Sequence, residues 1–141
     1  MTAERQRLGR LRRLERLREI AKRAAAAEAA AAEGALAQLQ SLAERSRAMA
    51  SSYAVRCEAS DGAALRQLLC FTDGLQGISR STANDAARAR TAADAKMAEL
   101  AQAERRRAAT GSRADEQARR MAKAALSPSH AARTALGTHL E

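Results

Sequence analysis

The fold is decided by residues 53–78, which have the sequence YAVRCEASDGAALRQLLCFTDGLQGI. This stretch contains the only Tyr, the only Phe and both Cys residues of the chain. It also contains, at Ser60, Asp61 and Gly62, the clearest interruption of an otherwise almost continuous helical pattern, because Ser and Asp favour the capping position that begins a helix. We therefore predict a turn near residues 58–62 that joins two long helices, at about residues 3–57 and 62–126.

The composition favours long helices over a compact globular domain. Of the 141 residues, 46% are hydrophobic but only 1% are aromatic, and most of the hydrophobic residues are Ala. A methyl group buries little apolar area, so such a chain cannot fill a large core. Strong helix formers predominate, and the single proline, Pro128, lies near the end of the chain. The composition predicts an all-α fold.

Apolar residues recur at alternating steps of three and four in both predicted helices, which is typical of a coiled coil. This sustained spacing also argues against disorder, the alternative for a charged chain with few aromatics. In the first helix the predicted seam positions are Ala21, Ala25, Glu28, Ala32, Ala35, Leu39, Leu42, Ser46, Met49 and Tyr53. In the second they are Leu65, Leu68, Thr72, Leu75, Ser79, Thr82, Ala86, Ala89, Ala93, Lys96, Leu100 and Ala103.

Both predicted seams carry their larger side chains toward the turn and mainly Ala toward the chain ends. The two helices therefore match when they run in opposite directions, with a seam that is thick near the turn. The sequence predicts a long antiparallel two-helix coiled-coil hairpin over residues 1–126. Residues 127–141, which contain Pro128, are predicted to form an irregular tail.

Positive charge is concentrated toward both chain ends. Residues 1–23 carry nine Arg or Lys against three Glu, residues 24–104 carry eight against ten acids, and residues 105–141 carry eight against three. In a hairpin the first and last segments are neighbours. We therefore expect a strongly basic surface that attracts an anionic partner.

The sequence shows no catalytic or metal-binding pattern. His130 and His139 lie in the tail without a nearby Ser or Cys nucleophile, and no Gly-rich phosphate-binding loop is present. Cys57 and Cys70 lack the spacing of metal ligands, and we expect both to be small buried apolar side chains. No apolar run is long enough to cross a membrane, and the N terminus lacks the features of a secretion signal. We expect a cytoplasmic, non-enzymatic protein with no cofactor.

A second apolar stripe lies on the second helix, at Phe71, Leu75, Ile78 and Thr82. It shares Leu75 and Thr82 with the seam but is wider than the seam. Two alternatives account for it: Phe71 packs over the seam against Met49 or Tyr53, or the stripe binds a partner.

The chain resembles the FliJ/YscO-like family of type III secretion stalk proteins. The resemblance covers about residues 5–126. It rests on chain length, the basic N terminus with Leu every third residue, the two-helix hairpin, and the segments QLQSL (38–42) and FTDGL (71–75) on either side of the turn.

The resemblance implies a non-enzymatic central stalk of the flagellar type III export apparatus, located in the cytoplasm and peripheral at the inner membrane. Such a stalk inserts its basic end into the hexameric ring of the export ATPase and contacts the cytoplasmic domain of the export gate protein FlhA. The regulator of the ATPase and export chaperones are further partners that the family implies.

The resemblance also implies residues for each contact. The gate-binding residues would be Gln38, Leu42, Phe71, Leu75 and Ile78. Where relatives can carry aromatic residues, this chain has Arg45 and Met49. The residues expected to face the ATPase ring are Arg5, Arg12, Arg13, Arg16, Arg119 and Arg120.

The residue pattern is also compatible with three alternatives. The arginines could form a solvated helix face. The chain could instead be a nucleic-acid-associated coiled coil, although its basic ends lack aromatic residues for base stacking and any known recognition motif. It could also be a structural dimer in which the Ala seams pair between chains.

Overall fold

A computed structural model describes residues 2–55 and 61–126, and these residues form two α-helices. Helix α1 spans Thr2–Val55 and helix α2 spans Gly62–Leu126. The two helices pack against each other, which confirms the predicted all-α two-helix hairpin. The predicted turn residues up to 60 and the predicted irregular tail, 127–141, lie outside the described residues.

Helix α2 begins with a cap at Asp61. Its Oδ1 accepts a hydrogen bond from the Ala64 amide at 2.7 Å, and its backbone carbonyl accepts one from the Leu65 amide at 3.1 Å. The first amides of a helix have no partner within the helix, so a side-chain acceptor at this position stabilises the helix start. Asp61 therefore has the capping role that the sequence predicted for Ser60 or Asp61.

The structure divides into two compact units, each containing part of both helices. Unit 1 comprises residues 1–22 and 102–141, and unit 2 comprises residues 23–101. In unit 2, Lys96 Nζ donates to Glu28 Oε2 at 2.8 Å, and Ser79 Oγ donates to the Ala43 carbonyl at 3.5 Å. Later residues of α1 thus meet earlier residues of α2, so the helices of unit 2 are antiparallel.

Burial along α2 follows the predicted seam. Every predicted position except Leu65 is buried or half-buried, whereas Leu65 is exposed. The same spacing continues into unit 1, where Thr110, Ala114 and Gln117 are buried. The prediction for α2 was therefore correct in register.

Burial along α1 confirms only half of the predicted seam. The positions that are buried or half-buried as predicted are Ala25, Ala32, Leu39, Ser46 and Tyr53. The positions predicted wrongly, all exposed, are Ala21, Glu28, Ala35, Leu42 and Met49. In each case the next residue along the chain is buried or half-buried instead, namely Lys22, Ala29, Leu36, Ala43 and Ala50.

Apart from the half-buried Tyr53, the prediction that the seam thickens toward the turn was wrong for α1. Its buried residues nearest the turn are the small Ala43, Ser46 and Ala50, while Leu42 and Met49 lie beside them and are exposed. Two paired helices bury only a narrow stripe of each, so larger side chains one position away stay in contact with solvent.

Cys70 is exposed, so the expectation that it is buried was wrong. It lies between the seam residues Leu68 and Thr72, two positions from each. Two residues correspond to about 200° of rotation in an α-helix, which places Cys70 on the face away from α1. Cys57 lies outside the described residues.

Two glycines within α2 have no internal packing role, and replacing them with Ala should stabilise the protein. A Cβ built at Gly74 or Gly77 meets no atom within 4 Å. Gly within a helix costs about 0.5–1 kcal/mol relative to Ala, because more backbone freedom is lost on folding. The double variant Gly74→Ala/Gly77→Ala should therefore unfold at a higher urea concentration, monitored by far-UV circular dichroism. An unchanged or lower midpoint would contradict this prediction.

Candidate partner-binding surfaces

Four of the large apolar side chains that unit 2 exposes lie on one side of its seam, and we call them the apolar face. These are Leu42 and Met49 on α1 and Phe71 and Ile78 on α2. Each of the four immediately precedes a buried seam residue in the sequence. In an antiparallel pair the two helices are related by a two-fold axis normal to their common plane, so equivalent positions lie on the same side. All four side chains therefore belong to one surface.

An aromatic contact fixes one edge of the apolar face. The rings of Tyr53 and Phe71 lie 4.9 Å apart between centroids, at an interplanar angle of 77°. This edge-to-face arrangement is the favoured geometry of aromatic pairs. Packing of Phe71 against Tyr53, one of the two predicted alternatives, is thus confirmed. Phe71 is nevertheless 46% exposed and Ile78 is 51% exposed, so the contact leaves apolar surface available to a partner.

The residues assigned to gate binding by the resemblance have different environments. Gln38, Leu42, Phe71 and Ile78 are exposed. Leu75 is only 9% exposed and belongs to the seam. It therefore packs beneath the apolar face and has little exposed area that a partner could contact. Four of these five side chains can therefore touch a partner directly.

Unit 1 has a basic surface. Its described residues, 2–22 and 102–126, contain fifteen Arg or Lys against six Asp or Glu, whereas the described residues of unit 2 contain eight of each. The arginines that the resemblance assigns to ring binding are all exposed: Arg5, Arg12, Arg13, Arg16, Arg119 and Arg120. Of these, Arg120 forms an ion pair with Glu116 on its own helix, at 2.5 Å. The charge asymmetry predicted from the sequence thus coincides with the division into units.

Unit 1 also contains a polar seam that sequence analysis missed. Arg18 of α1 donates from Nη1 to the Arg106 carbonyl at 2.6 Å and to the Thr110 hydroxyl. Thr110, only 1% exposed, in turn donates to the Arg106 carbonyl at 2.9 Å. A buried hydroxyl needs such a partner, and the guanidinium supplies a charged one. Arg18 therefore acts as a packing residue, in contrast to the exposed arginines around it.

The acidic residues of this polar seam pair with Arg107 of α2. Arg107 Nε lies 3.2 Å from Glu19 Oε2, and Arg107 Nη2 lies 3.6 Å from Glu15 Oε1. Glu19 also pairs with Lys22 at 3.0 Å. A Cβ at Gly111 would lie 3.1 Å from Glu15 Oε1, so glycine leaves room for this carboxylate. Continuing the seam spacing backward from Ala25 leads to Lys22, Arg18 and Glu15, but their polar side chains concealed the pattern.

A charged cluster crosses between the helices of unit 2. Lys96 Nζ contacts Glu28 Oε2 at 2.8 Å and Glu99 Oε2 at 2.9 Å. The hydrogen bond from Lys96, together with its charge, lowers the pKa of Glu28, while the hydrogen bonds to Glu28 and Glu99 raise the pKa of Lys96. All three groups are in contact with solvent, so the cluster orients the helices more than it stabilises them.

Comparison of the chain with protein families, curated proteins and solved structures finds no match. Within residues 2–55 and 61–126, neither helix has a segment apolar enough to span a membrane. The same part of the chain has no group of three or more His, Cys, Asp or Glu side chains placed to hold a metal ion. The described residues thus offer the apolar face and the basic surface as candidate partner-binding surfaces.

Proposed function

We propose that this protein is a non-enzymatic coupling subunit that binds two different partners through two chemically distinct surfaces. The observation that carries the proposal is the separation of these two surfaces: the apolar face lies in a unit with balanced charge, and the excess of arginine lies in the other unit. An apolar surface gains free energy by excluding water, whereas a basic surface accelerates and orients docking to an anionic partner.

The resemblance to the FliJ/YscO-like family supplies specific partners for these surfaces. In this proposal the exposed arginines of unit 1 face the hexameric export ATPase, and the apolar face contacts the cytoplasmic domain of the export gate protein FlhA. The protein would then be a stalk of the flagellar type III export apparatus, cytoplasmic and peripheral at the inner membrane. ATP would be hydrolysed by the ring and not by this chain.

The gate contact is tested by Phe71→Ala/Ile78→Ala. Removing two exposed apolar anchors should weaken binding to the purified gate domain by at least about tenfold, since central anchors of this kind commonly cost more than 1 kcal/mol each. Isothermal titration calorimetry against the domain from the same organism measures the effect. Leu69→Ala is the matched control, because Leu69 is also exposed but is not part of the apolar face. If the double variant and the control bind the gate domain equally, Phe71 and Ile78 contribute to local packing and not to gate binding.

The ATPase contact is tested by Arg12→Gln/Arg13→Gln/Arg16→Gln. The variant should lose most of its association with the ring, and the loss should be greatest at low ionic strength, because salt screens exposed charges. A matched control removes the same charge from unit 2, as Arg66→Gln/Arg88→Gln/Arg90→Gln, all exposed residues. If both triple variants lose the same amount of binding, the association depends on the net charge of the protein. A specific contact made by α1 would then be excluded as its cause.

The nucleic-acid alternative is tested by binding of the parent protein to DNA and RNA. A nucleic-acid-associated coiled coil would bind duplex DNA or RNA tightly with a steep salt dependence and would ignore both partner proteins. A structural dimer formed by pairing Ala seams between chains would have to open the hairpin, because Ala29, Ala43 and Ala93 are buried within it.

A further inference from the structure

Helix α1 exposes an aliphatic stripe within unit 1 that neither the seam nor the proposed function uses. Leu14 is 39% exposed, Leu17 is 63% exposed and Ile20 is 64% exposed. The seam residues of this segment are instead Leu8, Leu11, Glu15, Arg18 and Lys22, which are half-buried. The stripe therefore keeps a large part of its apolar surface in water, which is unfavourable unless something covers it.

The stripe winds around the helix and does not follow the heptad. Each three-residue step falls about 60° short of a full turn, so the three side chains span a sector of about 120°. Two exposed arginines, Arg10 and Arg13, fall within the same sector. A partner helix packs along a narrow stripe, whereas this sector is broad and alternates aliphatic and guanidinium groups. Its geometry suits a broad surface better than a second helix.

The charge that α1 itself carries around the stripe is of one sign. The three acidic residues of α1 in unit 1, Glu4, Glu15 and Glu19, lie on the opposite half of the helix. Glu15 and Glu19 are further neutralised by Arg107 of α2. The sector is thus purely cationic as well as apolar, and its occupant must be anionic and able to accept aliphatic side chains.

We infer that this sector of α1 binds an anionic membrane surface. Leu14, Leu17 and Ile20 enter the boundary between headgroups and acyl chains, while Arg10 and Arg13 extend their guanidinium groups to lipid phosphates. A phosphate chain of nucleic acid would satisfy the arginines but leave the aliphatic side chains in water. A lipid surface satisfies both, because charge attraction and apolar insertion act together.

Lipid binding by this sector does not depend on the ATPase or the gate. Lipid binding requires only lipid and the residues of one exposed helix face. A vesicle experiment can therefore contradict this inference without contradicting the proposed function, and the reverse is also true. The arginines assigned to the ring include Arg13, which also lies in the lipid-binding sector. Ring binding and membrane binding would therefore compete.

The test is sedimentation of the full chain with sucrose-loaded vesicles at near-physiological ionic strength. Vesicles of phosphatidylcholine containing about one third phosphatidylglycerol should bind the protein at least about tenfold more strongly than phosphatidylcholine alone. Leu17→Ala/Ile20→Ala should reduce binding to the anionic vesicles about tenfold, since each buried methylene contributes to insertion. Arg10→Gln/Arg13→Gln should also reduce it. Circular dichroism verifies that helicity is retained in each variant.

The control is Val55→Ala/Leu69→Ala, which removes two exposed aliphatic side chains from unit 2. This variant should bind vesicles as the parent does. Failure of the parent to bind anionic vesicles would overturn the inference, as would equal binding by the Leu17/Ile20 variant. A different outcome is also possible: neither the parent nor the Leu17/Ile20 variant sediments with vesicles, but both bind duplex DNA strongly. That result would overturn the inference and show that the arginines bind a polyanion.

Discussion

Leu75→Ala is expected to lower the free energy of unfolding of unit 2 by about 2–3 kcal/mol. Leu75 is the largest buried apolar side chain among the described residues, in a seam made mostly of Ala, Ser and Thr. Buried Leu→Ala changes cost about 2–5 kcal/mol, from lost burial plus the cavity that remains. Two packed helices can close partly around such a cavity, so the lower end of this range applies.

Urea denaturation measures this loss with two signals. Far-UV circular dichroism follows both helices, and fluorescence of Tyr53, the only Tyr in a chain without Trp, reports on unit 2. Leu69→Ala is the control, because it makes the same chemical change at a side chain that is 55% exposed. It should alter stability by about 0.5 kcal/mol or less. Equal losses in the two variants would show that Leu75 contributes through helix propensity and not through burial.

The seam of α2 was predictable from the sequence, whereas only half of the α1 seam was. The difference lies in how many neighbouring positions of each helix are apolar. Along α2, the spacing that starts at Leu68, Thr72 and Leu75 continues through most of the helix. Along α1, Ala occupies so many positions that neighbouring registers are both apolar. The predicted register placed the larger Leu42 and Met49 in the seam. Close helix packing instead selected the small Ala43 and Ala50 for the interior.

The large residues displaced from the α1 seam enlarge the candidate site. Leu42 and Met49 lie outside the seam and join Phe71 and Ile78 on the apolar face. In the sequence, only the α2 half of this surface is recognisable as apolar area beyond the seam. The α1 half came from the resemblance at Leu42 alone. With small residues inside the seam and large residues beside it, unit 2 presents a broad apolar surface.

The polar seam of unit 1 could not be found from hydrophobic periodicity. Arg18 and Thr110 occupy seam positions, yet neither is apolar, and only the structure shows that they bond to each other. Its charge alone does not distinguish Arg18 from the exposed arginines around it. A half-buried arginine is tolerated here because the Arg106 carbonyl and the Thr110 hydroxyl both accept its hydrogen bonds.

Ala93→Leu is expected to destabilise the hairpin by about 1–3 kcal/mol, although it adds apolar volume. Ala93 and Ala29 are each only 3% exposed. The contact between Ser79 and the Ala43 carbonyl shows which residues of the two helices face each other. Because the helices are antiparallel, moving two heptads forward along α2 and two heptads back along α1 brings Ala93 opposite Ala29. A larger side chain in this layer must push the helices apart or adopt an unfavourable rotamer, which is the usual cost of overpacking.

Ala92→Leu provides the control for this prediction, since Ala92 is exposed and precedes Ala93 on the same helix. Leu and Ala are both strong helix formers, so this change should alter stability by about 0.5 kcal/mol or less. Urea denaturation of both variants, followed by far-UV circular dichroism, makes the comparison. If Ala93→Leu is as stable as Ala92→Leu, the layer has room for a larger side chain. In that case, close approach of the helices would not explain why Ala43 and Ala50 occupy the seam in place of Leu42 and Met49. The exposure of these two large side chains on the apolar face would then need another explanation.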